Sequence, residues 1–169
     1  MSSPHDFDFL HGAWEVANRR RTDFLDPDSG WEEFPATHWC RPLFDGAANI
    51  DEIDMPHLGA KGLTLRLFDQ ERKEWSLSWS SSRSGTLFPP VVGGFDGDRG
   101  EFHGDDTLPH SRIRSSGGTP ISKDVRVRYV WADVSPASAH WEQAFSVDDG
   151  RTWVTNWSMD FSRSRPSAS

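Results

Sequence analysis

Asp51 is the carboxylate in this sequence best placed to do chemistry. It shares a strand parity with Asn49 in the run Ala48-Asn49-Ile50-Asp51-Glu52. Inside an aromatic-lined interior its pKa would rise, which suits proton transfer. His38, Tyr129 or Arg20 would be its partner in such a step; held only by Arg20, Asp51 would instead be half of a structural ion pair. His38 and Cys40 lie two apart in an extended segment and share a face. They offer two metal ligands but no third, and no His-x-His or His-Glu-x-x-His spacing occurs, so no metal or other cofactor is expected. Cys40 reads as a small buried residue, not a nucleophile, and no Gly-x-Ser-x-Gly elbow is present. Asp105 and Asp106 read as part of a turn, and Glu142 as a solvated surface residue.

The bulk of the chemical potential is aromatic. The 169 residues include nine Trp, eleven Phe and one Tyr, although hydrophobic residues make up only 35%. A disordered chain would be poor in such rings. Each buried Trp removes roughly 150–250 Å² from water, so a few can build a core that the aliphatic residues cannot. With 26 acidic against 18 basic residues the net charge is −8, which lacks the basic footprint of a nucleic-acid partner. No apolar run approaches the ~20 residues of a membrane span, and the opening Met1-Ser2-Ser3-Pro4-His5-Asp6 has no signal-like pattern. With a single Cys, the expectation is a cytoplasmic protein.

The elements that must position these residues are strands. Short alternating segments separated by Gly, Pro, Asp and Ser clusters predict about ten of them, near 13–23, 33–44, 47–54, 61–69, 73–82, 90–96, 99–104, 123–134, 138–147 and 152–163. Turns such as Asp69-Gln70-Glu71-Arg72 and Asp148-Asp149-Gly150-Arg151 are hairpin connections. Residues 105–122, with Pro109, Gly117, Gly118 and Pro120, read as a long mobile loop capping one end. Residues 1–6 and 164–169 read as disordered ends around one domain at 7–163. Successive hairpins predict an all-β, up-and-down antiparallel barrel of about 8–10 strands, whose closure removes exposed edges. A β-sandwich is the alternative.

Period-two alternation sorts the faces. The inward set is read as Trp14, Val16, Asn18 and Arg20; Leu63, Leu65 and Leu67, opposed by Thr64 and Arg66; Trp75, Leu77 and Trp79; Val125, Val127, Tyr129 and Trp131; Trp141, Gln143, Phe145 and Val147; and Trp153, Trp157, Met159 and Phe161. Asn156 and Ser146 fall on the outward parity. A solid core would not accept Arg20, Asn49, Asp51 and Gln143 unpaired. A barrel of this size has room for a cavity, and an aromatic cavity with a few convergent polar groups is a small-molecule site.

The segment Phe7-Asp8-Phe9-Leu10-His11-Gly12-Ala13-Trp14 resembles the Gly-x-Trp opening of calycin and lipocalin-like barrels, where an Arg from the last strand stacks on the Trp; Arg163 is the matching Arg. Further along, Trp31-Glu32-Glu33-Phe34, Cys40-Arg41-Pro42-Leu43, Pro89-Pro90-Val91-Val92-Gly93, Trp141-Glu142-Gln143-Ala144-Phe145-Ser146 and Asp149-Gly150-Arg151-Thr152-Trp153 are similar to a bacterial, DUF1579-like family of uncharacterised calycin-like proteins. The resemblance covers residues 7–163 and implies a barrel, but brings no substrate and no catalytic residues. In nitrobindin-like calycins a late axial His holds haem; the only late histidine here is His140, whose parity is outward.

The expectation is a barrel that binds a hydrophobic, aromatic small molecule. Trp79, Tyr129, Trp141 and Trp157 would stack on it, while Arg20, His38, Asn49, Asp51 and Gln143 orient its polar end. An enzyme of isomerase or cyclase type, using Asp51 in the same cavity, is the alternative. A homodimer through an outer strand face fits either reading.

Overall fold

The structure, a computed structural model, describes residues 2–108 and 123–163. Ten antiparallel strands close into a barrel in which every strand pairs with its sequence neighbours and the first pairs with the last. They are β1 (Gly12–Arg21), β2 (Trp31–Leu43), β3 (Ala48–Met55), β4 (Ala60–Asp69), β5 (Glu74–Ser81), β6 (Val91–Asp96), β7 (Arg99–Leu108), β8 (Lys123–Ala132), β9 (Ser138–Ser146) and β10 (Val154–Arg163). The meander read from the alternation is therefore the fold. Most boundaries shift by two residues or fewer, but β7 runs on to Leu108, so Asp105 and Asp106 are strand residues rather than a turn. The rest of the anticipated loop, 109–122, and the tail 164–169 lie outside the described residues.

One end of the barrel is sealed by the chain's own start. A short 3₁₀ turn at Asp8–Leu10 leads into β1 and drops the fully buried Phe7 and Leu10 into the opening. The Phe7 ring meets Trp75 edge-on at 4.9 Å and Phe95 at 5.1 Å. Pro4–Phe7 form a turn ahead of the 3₁₀ piece, and residues 2–6 pack against that end. Their polar groups are used: Trp75 Nε1 donates to the Ser3 carbonyl at 3.1 Å, the Phe95 N–H donates to Ser2 Oγ at 3.3 Å, and Asp6 accepts from the Ser3 N–H at 2.8 Å.

The Gly-x-Trp signature acts at the same end. The Arg163 guanidinium lies 3.7 Å over the Trp14 ring and donates to the Phe9 carbonyl at 2.8 Å. Trp14 Nε1 donates to the Leu10 carbonyl at 2.8 Å. Gly12 adopts φ +106°, and a Cβ there would sit 2.9 Å from Arg163 Nη1. Glycine is needed on both counts.

The inward parities hold for β1, β5 and β8, with corrections elsewhere; β2 and β3 alternate as well, which their sequences do not show cleanly. In β4 the buried residues are Gly62, Thr64, Arg66 and Phe68, while Leu63, Leu65 and Leu67 face outward. In β10 a register shift between Thr155 and Trp157 breaks the alternation. Trp157, Met159 and Phe161 point inward as expected, but Asn156 is fully buried. Trp153 precedes the strand and packs outside it, with the Arg128 guanidinium 4.6 Å from its ring. On β9, Ser146 is buried and Val147 is exposed, the reverse of the simple parity. Ser146 Oγ donates to Asp148 at 2.8 Å and accepts from the Gly150 N–H at 2.8 Å, anchoring the turn.

Candidate functional site

Above the sealed end the barrel encloses a cavity of about 180 Å³. Its aromatic wall is a chain of edge-to-face rings. Tyr129 meets Trp141 at 5.1 Å, Trp141 meets Trp157 at 6.3 Å, and Trp157 meets Trp79 at 6.4 Å. Trp79 reaches its place because Gly62 on the neighbouring strand has no side chain: a Cβ there would fall 1.8 Å from the indole. Trp157 is oriented from behind, its Nε1 donating to Asn18 Oδ1 at 3.0 Å.

Polar groups enter this wall at three levels. At the deepest level, Asp51 on β3 is fixed by three neighbours. Arg66 Nη2 lies 2.7 Å from it, His38 Nε2 3.0 Å, and the Thr64 N–H donates to it at 2.8 Å. Burial opposes its ionisation, but the Arg66 charge and the His38 hydrogen bond outweigh burial and hold the carboxyl at about 2. The rise in pKa expected for Asp51 is thus reversed, and its arginine partner is Arg66 rather than Arg20. Asn49 backs the network, accepting from Arg66 Nη1 at 2.9 Å, and reaches the cavity only through that contact. The Arg66 guanidinium also lies 5.2 Å from the centre of the Phe7 ring, so the cation rests on the aromatic seal. His38 Nδ1, Arg66 Nε and Asn49 Nδ2 are buried without partners among the described residues.

At the upper level, Arg20 is held between the rings of Phe24 and Trp157, at 4.7 and 4.9 Å. Its Nη1 donates to Glu32 at 3.0 Å, and the other Glu32 oxygen lies 3.2 Å from His57. Gln143 donates to Asn156 Oδ1 at 2.9 Å, and Asn156 donates to the Phe24 carbonyl at 3.3 Å. This explains why the β10 bulge buries Asn156: it ties the loop carrying Phe24 to the wall.

The third level is Asp106, which faces inward on β7 and lines the cavity. Its only partner among the described residues is the Thr107 N–H at 2.7 Å. Burial pushes its carboxyl above the usual value. Burial likewise pushes the Tyr129 phenol up, with the Asp106 charge adding to the effect.

Of the residues singled out from the sequence, Arg20, His38, Asp51, Trp79, Tyr129, Trp141, Gln143 and Trp157 all line this one cavity, and Asn49 stands one contact behind. Among the lining residues that were missed are Arg66, Arg83, Asp106 and Phe24. The register could have found Arg66. Asp51 pairs with Thr64 and Asn49 with Arg66, so an inward Asp51 forces β4 to turn that same parity inward. His140 is on the outer face, 2.7 Å from Asp160 and 3.3 Å from Glu142, and cannot reach a group in the lumen. Burial pushes the Cys40 thiol up to about 12, which leaves it no thiolate character. Among the described residues no cluster of three His, Cys, Asp or Glu could hold a metal.

No family model matches the chain, and no curated protein matches it in sequence. Solved structures match it in shape. The S-type phycobiliprotein lyase CPES from Guillardia theta superposes with a TM-score of 0.58 at 10% identity, covering 98% of this chain and 94% of that one. Rv2717c from M. tuberculosis superposes at 0.59 with 14% identity, covering 98% of this chain and 100% of that one. The fold is a lipocalin-like barrel. At these identities the likeness is one of fold. No helix among the described residues is long and apolar enough to cross a membrane.

Proposed function

We propose that this barrel binds a hydrophobic, aromatic small molecule in its lumen. The observation that carries the reading is the ring chain Tyr129–Trp141–Trp157–Trp79 around a cavity of about 180 Å³ with a polar floor. A void of roughly 150 Å³ takes benzene, so this one accepts one or two fused rings. A larger ligand would seat its ring end here and leave the remainder toward the mouth. His38, Asp51 and Arg66 face the buried edge of the ring system, and Arg20 and Gln143 the outer edge. One structural neighbour is a phycobiliprotein lyase, which agrees with a small-molecule role for the scaffold. The motifs of the DUF1579-like family fall largely on lining strands and their turns, and we place the chain there and in the cytoplasm. In the isomerase or cyclase reading, Asp51, held ionised at about 2 by Arg66 and His38, would act as a base rather than an acid. The proposed homodimer would use the outer face of β4, where Leu63, Leu65 and Leu67 project; sedimentation of the purified chain tests it.

Titration with a panel of one- and two-ring aromatics, followed by tryptophan emission, tests binding. Quenching that saturates, and that weakens about tenfold or more in Trp141→Leu, is the expected result. A flat emission across the panel would sink the proposal.

A further inference from the structure

Three carboxylates line or edge the lumen, and two are matched by cations. Asp51 has Arg66 at 2.7 Å, and Glu32 at the rim has Arg20 at 3.0 Å. Asp106 has no cation within ion-pair distance among the described residues; Arg83, which lines the same cavity, donates to the Leu58 carbonyl instead. The arginine nearest along the sheet, Arg126, is committed elsewhere: it lies 3.4 Å from Asp105 and 3.3 Å from Asp149. These contacts are on the outer face, since Asp105 and Asp106 alternate on β7. Asp106 is half-buried, and among the described residues its carboxylate accepts only the adjacent Thr107 N–H. A carboxylate has about four acceptor sites, so most of its capacity faces the cavity.

The surroundings complete a recognition pattern. Tyr129, one strand away on β8, lines the same cavity and its hydroxyl has no hydrogen-bond partner among the described residues. The Tyr129 ring packs on Trp141 at 5.1 Å. A carboxylate without a counter-ion among the described residues, in a cavity lined by aromatic faces that carry negative electrostatic potential, favours a cation or a strong N–H donor. An anion placed there would meet repulsion from both. The opposite, deeper pole is the matched Asp51–Arg66 pair, whose cation rests on Phe7.

Building on the binding reading above, we propose that Asp106 is a ligand-binding residue, and that the lumen selects aromatic molecules bearing a protonated amine or amidine-like nitrogen, with Asp106 as the counter-ion and Tyr129 and Trp141 as the flanking faces. Uncompensated among the described residues, the carboxylate weakens the empty barrel and is offset when the ligand's nitrogen arrives.

Three probes of one shape test this by calorimetry at neutral pH: naphthalen-2-ylmethanamine, naphthalen-2-ylmethanol and 2-naphthoic acid. The amine is expected to bind roughly tenfold tighter than the alcohol, and the acid weakest. Asp106→Asn should abolish the preference for the amine over the alcohol and raise the thermal midpoint of the empty protein. Asp105→Asn, on the outer face, should keep the preference. Equal affinities for the three probes, or tightest binding by the acid, would overturn the assignment while leaving the binding function intact. An amine preference that survives Asp106→Asn would overturn it in the same way. Failure of all three probes to bind would overturn both.

Discussion

At the floor of the lumen, charge is stored in a form that costs little while it is complete and much when it is broken. Asp51 and Arg66 are each about 5% exposed or less and 2.7 Å apart. Removing one charge leaves the other buried and unpaired. Asp51→Asn is expected to cost about 3–5 kcal/mol by that principle, read as a lower urea midpoint at unchanged slope. Replacing both, as Asp51→Leu with Arg66→Met, should recover most of the loss. The pH dependence has a definite sign. The folded-state pKa of Asp51 lies below its ordinary value of 3.8, at about 2. The stabilisation is therefore complete above about pH 4 and disappears as pH falls through about 2. It amounts to on the order of 2 kcal/mol, and in Asp51→Asn the slope of stability against pH over that window should flatten. Cys40 would give no early sign of this, since a thiol at about 12 reacts only once the barrel opens.

At the scale of strands, alternation made the architecture legible and hid one face. Ten segments alternate, and their turns are marked by Gly, Asp and Pro, so number, order and closure follow from local signals. In β4 the same alternation carries leucines on one parity and Thr64 and Arg66 on the other. Reading apolar as inward fails because the floor of a hollow barrel is a polar site. Arg66 must face Asp51, and the leucines are left outside. Asn156 escaped for a different reason: a bulge adds a residue locally, and nothing in the alternation of Trp157, Met159 and Phe161 announces it. Asp106 was hidden by the Pro- and Gly-rich residues after it, which made its strand look finished at 104. The tight approach of β4 to β5 gives a test at this scale. Gly62→Ala puts a methyl group into the Trp79 ring, and the ring must swing. The expected outcome is about 1–3 kcal/mol of lost stability, as for other overpacked sites, with an altered near-ultraviolet dichroism band from the indole.

For the whole molecule, the asymmetry between the ends decides what the cavity is. One end is filled by Phe7, Leu10 and Trp14 under the Arg163 guanidinium; the other carries the rim residues Arg20, Glu32 and Asp106. Residues 2–6 belong to the sealed end, because Ser3 satisfies the indole N–H of the fully buried Trp75. Deleting residues 2–6 should cost about 2 kcal/mol, a drop in Tm of roughly 4–8 °C. Differential scanning calorimetry checks this; an unchanged Tm would show that the seal does not depend on these residues.

The pairing of Trp14 with Arg163 also bears on how the molecule is made. The opening strand leaves the ribosome first and waits for its second neighbour until the final strand has emerged. Until then the sheet has two bare edges and no enclosed space. Synthesis must therefore run through β10 before the wall can shut, so a lumen exists only once all ten strands have been made. Contacts that span so much of the chain also make closure intrinsically slow.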